Sequence, residues 1–310
     1  MRKRPILCAL RSHRAAVALL LGALPGCAES TVGGGYCSPP AVASFSFVPD
    51  PPPAEDAPHE AHVAALVGLR SATADEVSRS TDARSRVVER VELASLAIGA
   101  TSAELDCESE RAEQAADYLS RRQSSRVQGL TIGSVVAAAL TGIGGVFLST
   151  KGAPALAQDT TAISGGVVTA GLGLTSLYVH PRARFEHERN LLADVWFGPT
   201  VSTTFVPLVW TYLTRPAFSN GRREAIRSRI VARWKQFHQV DELAAAATLF
   251  GNGGSYDVDS LRARAAMLDE VKAEVELEKQ ESRGVRGDAS SLSESSTRRA
   301  RSLAPRIRPR

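Results

Sequence analysis

Charge disappears from the middle of this chain. Residues 127–150 form an uncharged run of 24 residues and residues 160–179 another of 20, joined by a polar bridge that carries Lys151 and Asp159. As helices the two runs extend about 36 Å and about 30 Å, each enough to cross the hydrocarbon core of a bilayer. Small residues recur at fourth positions: Gly129, Gly133, Ala137, Thr141 and Gly145 on the first run, Ala162, Gly166 and Ala170 on the second. That spacing gathers them on one face, where two backbones can approach closely. Nine glycines fall in the two runs, and at roughly 0.5–1 kcal/mol each against alanine they remove about 5–9 kcal/mol of helix propensity. Close helix contact, lipid or a second copy of the chain must offset that loss. The pattern predicts an apolar helical hairpin over residues 127–179 that associates through its small-residue faces.

Ahead of the hairpin, Val87, Val91, Ala94, Ile98, Thr101, Leu105, Ala112, Ala115 and Leu119 keep a four-three alternation interrupted at Glu108. This is a coiled-coil-like stripe. No helix breaker separates it from the apolar run, so one rod is predicted to carry an amphipathic arm and an apolar tip. A first short helix is expected near 60–69 and another over 182–196. The third uncharged run, 195–214, is broken by Gly198-Pro199 and Pro207 and reads as an aromatic core wedge. Residues 222–238 form a basic amphipathic helix with Ile226, Ile230, Trp234 and Phe237 on one face. The closing helix, 259–280, is acidic around Leu261, Leu268, Val271 and Val275. Opposite charge on these two predicts that they pair.

The fold class is therefore all-α: an elongated helical bundle with coiled-coil-like arms and a Gly/Ala-rich apolar hairpin, spanning 59–282. Both ends look different. Seven prolines between Ser38 and Pro58 make residues 27–58 an extended tether, with Phe45-Ser46-Phe47-Val48 as a short strand or a docked peptide. Residues 283–310 are rich in serine and arginine and predict a disordered tail.

The N-terminus supplies an address. Arg2, Lys3, Arg4, Arg11 and Arg14 precede an apolar core at 15–24, which makes residues 1–26 a secretory signal. The sequence Leu24-Pro25-Gly26-Cys27 resembles the lipobox of bacterial lipoproteins. The resemblance covers the leader alone, and the helical body resembles no known family. It implies that Cys27 is diacylated and becomes the mature N-terminus, which anchors the protein by lipid in the bacterial cell envelope. Ala28 implies sorting to the outer membrane, facing the periplasm. The formal charge of +4 then misleads, because the leader holds five basic residues and no acid. Residues 27–282 carry 24 basic and 31 acidic residues, net −7, while residues 283–310 carry eight arginines and two acids. Export and that distribution argue against nucleic acid as a partner. With Cys8 in the leader and Cys27 lipidated, Cys37 and Cys107 remain as an even pair, predicted to form a disulfide.

No catalytic constellation emerges, and no cofactor or metal is implied. His59-Glu60-Ala61-His62 is one residue short of the zinc-binding HExxH spacing, and His187-Glu188 is followed by Leu191 where that motif needs histidine. Both read as surface residues. Gly142-Ile143-Gly144-Gly145 and Gly171-Leu172-Gly173 lack the third glycine of a dinucleotide fingerprint. Two functions remain, neither enzymatic. One is a lipid-anchored envelope scaffold or adaptor that forms a homo-oligomer through its small faces and meets an unidentified envelope protein. The other is a membrane-active, pore- or channel-like protein whose hairpin inserts into a bilayer. Arginines flanking the hairpin on the exported side oppose the positive-inside bias, so the scaffold is preferred.

Overall fold

The two interrupted apolar lines become the seam of two long helices. The structure, a computed structural model, describes residues 30–32, 37, 47–69, 80–150, 166–167, 170–171, 174, 180–219, 223–240 and 243–303, and of residues 30–32, 148–149, 243–245 and 281–303 the backbone alone. Among these residues are seven α-helices: α1 (His59–Leu66), α2 (Thr81–Thr150), α3 (Leu191–Phe197), α4 (Pro207–Thr214), α5 (Ile226–Gln236), α6 (Leu243–Phe250) and α7 (Val258–Leu303). Three short strands accompany them: β1 (Ser30–Val32), β2 (Ala183–Glu186) and β3 (Gly253–Tyr256). The fold is all-α around a small sheet.

Arm and tip are one continuous helix. α2 has 70 residues, a rod about 105 Å long. Val87, Val91, Ala94, Ile98, Thr101, Leu105, Ala112, Ala115 and Leu119 are all buried in one core with Leu261, Leu268, Val271 and Val275 of α7. The helices run antiparallel, because Ser102 meets Glu276 (2.5 Å) while Ser109 donates to the Ala265 carbonyl (3.2 Å). Asp257 starts α7 through a reciprocal cap: its carboxylate accepts from the Ser260 amide (2.9 Å), and the Asp257 amide donates to the Ser260 hydroxyl (3.0 Å). Such caps satisfy amides that the first helical turn leaves unpaired.

Shorter elements close the bundle. Pro207 opens α4, and Leu208, Val209, Trp210, Tyr212 and Leu213 bury themselves as the aromatic wedge, although Phe197 and Val201 stay exposed. On α5, Ile226, Ile230 and Trp234 turn inward while Phe237 remains outside. Arg233 pairs with Glu270 of α7 at 2.7 Å, and the Trp234 indole donates to the same carboxylate at 3.0 Å. The basic and acidic helices do meet.

Three features depart from the sequence expectation. Residues 183–186 form a strand instead of entering a helix, since Ala183 and Phe185 point inward and Arg184 and Glu186 outward, a period of two. The sheet order is β1-β2-β3, with β1 parallel and β3 antiparallel to β2. The proline-rich segment is held as expected, with Cys37 bonded to Cys107 and Phe47 buried beneath the Arg90 guanidinium, and the pairing of Ser30 with Ala183 adds a contact that the sequence did not signal. His62 and His187 are buried, not surface residues. Lastly, the α7 backbone continues past Gln280 to Leu303.

Candidate functional site

Two places in the molecule carry unusual chemistry, the tip of α2 and a charged layer inside the seam. Beyond Leu119 no described residue of α2 is buried. Its apolar tip bears Ile132, Val135, Val136, Leu140, Ile143, Val146 and Phe147, each more than half exposed. The positions with partial cover, 127, 130, 134, 137, 141, 144 and 145, follow a three-four spacing on the opposite face. The tip thus has a bulky outer face and a small, half-covered inner one. From the second run, Gly166, Val167, Ala170, Gly171 and Leu174 are helical and exposed.

Among the described residues, nothing lies in close contact with the glycine stripes. A Cβ placed on Gly129, Gly133, Gly145 or Gly166 would meet no atom within 4 Å. Ala137 and Thr141 are half-covered, Ala170 is exposed, and Ala162 lies outside the described residues. A small-residue stripe permits two helices to approach but does not drive them together; van der Waals contact with a fitted partner does that. Cys27 also lies outside the described residues.

The predicted cysteine pair is joined, with Cys37 and Cys107 Cα atoms 5.5 Å apart. It pins the segment after β1 to the middle of α2. Ser30, Thr31 and Val32 in turn lie in register with Ala183, Arg184 and Phe185.

At Glu108, where the α2 stripe is interrupted, the structure places a buried ionic layer. Arg111 holds the Glu108 carboxylate at 2.7 Å, and Arg264 of α7 approaches it at 4.0 Å. Arg264 occupies the gap in the α7 apolar line between Leu261 and Leu268, so the two breaks face each other. Both arginines are almost wholly buried. Arg111 lies 4.0 Å over the Phe185 ring and donates to the Glu186 carbonyl (3.0 Å), while Arg264 donates to the Leu249 carbonyl (3.2 Å). Seam and sheet are thereby locked to each other.

His187 sits against this layer. Its Nδ1 is 3.1 Å from the Gly251 carbonyl and its Nε2 3.1 Å from the Tyr256 hydroxyl. Burial, with the Arg264 and Arg111 charges, lowers its pKa to about 3, so the ring is neutral at ordinary pH. Burial likewise pushes Tyr256 up to about 12. With both ring nitrogens engaged and no charge to gain, His187 is a bracket between β2 and the α6–β3 turn. One turn before Glu108, Glu104 is buried and 3.4 Å from Arg189. Burial raises its pKa to about 7, against the Arg189 charge and with help from Glu108. Arg189 also donates to the Thr204 carbonyl. Asp194 anchors the same loop by accepting from Ser202, Thr203 and Thr204; burial alone would raise its carboxyl, but these bonds outweigh it and hold the pKa low.

Sequence reading missed Arg111, His187, Tyr256 and Arg264 as a group. The available signal was the pair of polar breaks in two apolar lines, at Glu108 and Arg264. Among the described residues, no group of three or more His, Cys, Asp or Glu is placed to hold a metal ion. The chain matches no protein-family model, no curated protein and no solved structure.

Proposed function

We propose that this chain is a membrane-attached helical scaffold without catalysis: its apolar hairpin lies in a bilayer, and its arm of α2 and α7 stands away from the surface. The observation that carries the reading is the tip of α2. A window of 18 residues within it has a mean hydropathy of 1.9, and none of that window is buried. Covering the seven exposed bulky side chains is worth about 10–20 kcal/mol at the usual 1.5–3 kcal/mol each. That exceeds the glycine penalty of about 5–9 kcal/mol, and lipid also enforces helical hydrogen bonding. Water does neither.

The positive-inside objection applies to a hairpin laid down during synthesis. A hairpin entering tip first from the body's own side carries across only the bridge, where the charges of Lys151 and Asp159 cancel, and leaves its flanking arginines behind. The lipobox-like Leu24-Pro25-Gly26-Cys27 supports the same surface as the site of anchoring. The arm then offers to an envelope partner a flank where Asp106, Glu110, Glu113, Asp269 and Glu276 outnumber Lys272, which pairs with Asp106.

Flotation of the purified Cys27→Ser protein with neutral phosphatidylcholine vesicles tests this reading, since the variant removes lipidation and isolates the hairpin. The protein should float, and protease should spare residues 127–150 only when vesicles are present. A protein that stays in the aqueous fraction with its hairpin cleaved at the same rate would refute it. The three-four pattern of half-covered positions favours one second reading, an oligomer that buries the small face between copies. Gly133→Leu should then lower the sedimenting mass in the absence of lipid.

A further inference from the structure

We infer that the bilayer-facing surface of the body is its arginine-bearing end, where Arg121, Arg122, Arg126, Arg182 and Arg184 ring the entry of the hairpin and bind the phosphate headgroups of anionic phospholipid. The inference rests on the membrane reading above and adds to it which surface meets the bilayer and which lipid it selects.

The level of each element along α2 follows from the antiparallel register. Ser102 meets Glu276, Glu108 faces Arg264, and Ser109 meets Ala265. Continued at the same pitch, Val258 at the start of α7 falls beside about residues 116–120 of α2, where the last buried α2 side chains, Ala115, Ala116 and Leu119, are found. Tyr256, just ahead of α7, pairs with Ala183, and Ala183 pairs with Ser30. The sheet therefore begins at the level where the core ends. Beyond it the α2 rod continues first through three arginines and then through the uncharged run.

Spacing along the rod puts Arg126 and Arg122 within the headgroup layer of a bilayer and Arg121 at its outer edge. With the hydrocarbon boundary at Val127, Arg126, Arg122 and Arg121 lie about 1.5, 7.5 and 9 Å outside it at 1.5 Å per residue. A headgroup layer is about 5–8 Å thick, half the difference between the full bilayer and its hydrocarbon core. Arg182 and Arg184 alternate with buried Pro181 and Ala183 and so share the exposed face of β2. Glu186, exposed on the same face, pairs with Arg184 at 3.0 Å, and Asp257 caps α7, so the α2 arginines carry most of the collar's net charge. Phosphate suits guanidinium groups because two parallel N–H bonds match its oxygens.

The test uses the full chain as Cys27→Ser, with and without Arg121→Gln, Arg122→Gln and Arg126→Gln together, on two kinds of vesicle. One is phosphatidylcholine alone; the other has roughly a quarter replaced by phosphatidylglycerol. Partitioning of the parent should rise on the anionic vesicles, and the triple substitution should cost about a hundredfold there, about fivefold per arginine. It should cost little on neutral vesicles, and the anionic gain should fade with added salt. Equal partitioning of the parent to both vesicles, or an anionic gain that survives the triple substitution, would overturn the collar while leaving the inserted hairpin intact. Failure of the parent to bind either kind removes the membrane reading and the collar with it. Helicity and the Cys37–Cys107 bond, measured in each variant, show that the body is still folded.

Discussion

Glu108→Gln is the most informative perturbation of the body. The carboxylate stands 2.7 Å from Arg111 and 4.0 Å from Arg264, whose side chains are 2% and 0% exposed. At an effective dielectric of about 20, those separations correspond to attractions of about 6 and 4 kcal/mol, which desolvation of three charges largely offsets. Neutralising the single acid leaves two guanidinium groups inside the protein with no counter-charge. The general cost of orphaning a buried partner is about 3–5 kcal/mol, a large part of the 5–15 kcal/mol that typical domains possess. Urea denaturation of the disulfide-intact protein, followed through the fluorescence of buried Trp234, should show that loss at neutral pH. Arg264→Met, added to the same background, removes one orphaned charge, so the two changes should be less than additive by about 1–3 kcal/mol. A loss under about 1 kcal/mol with additive effects would mean that water reaches the layer and that it does not fix the register of α2 against α7.

Three further outcomes follow from particular contacts. Cys37→Ser opens a loop closed across 70 residues, for which chain entropy gives about 4 kcal/mol; thermal melting should report a large drop, and an unchanged melt would show that the strap contributes nothing. Glu104 has its folded pKa raised from 4.5 to about 7, so the unfolded chain releases that proton first and stability falls as pH rises between those values, by at most about 3 kcal/mol. Glu104→Gln should abolish that slope and exceed the parent in stability above pH 7, as read by denaturation at several pH values. Gly253 has φ +101°, and a Cβ there would lie 2.2 Å from the Phe185 carbonyl oxygen. Gly253→Ala should therefore break the β2–β3 pairing and cost about 2–4 kcal/mol, and retention of full stability would contradict the register.

How much of this was legible differs from element to element. The α2 seam could be read almost residue by residue, because a four-three alternation has one physical solution, an apolar partner along the stripe. The strand at 183–186 could also have been read. Pro181 through His187 alternate buried and exposed positions, but four residues of period two are easily absorbed into a neighbouring helix prediction. The strapping of the N-terminal segment was half visible: cysteine parity pointed to the Cys37–Cys107 pair, while Ser30–Val32 carries no signal of its own, because an edge strand borrows its stability from the strand it joins.

The candidate sites divide along the same line. Sequence alone determined that residues 127–150 are uncharged, long enough for a bilayer and lined with small residues, since these are properties of consecutive positions. Only the tertiary structure decided that this tip leaves the core at Leu119 and that the faces of Gly133 and Gly166 stand open. It alone also brought Glu108, Arg111, His187, Tyr256 and Arg264 together. Those residues are separated by as many as 156 positions, and no local rule relates them. They meet because two helices and a sheet fold to one level of the rod, where each break in an apolar line needs an opposite charge.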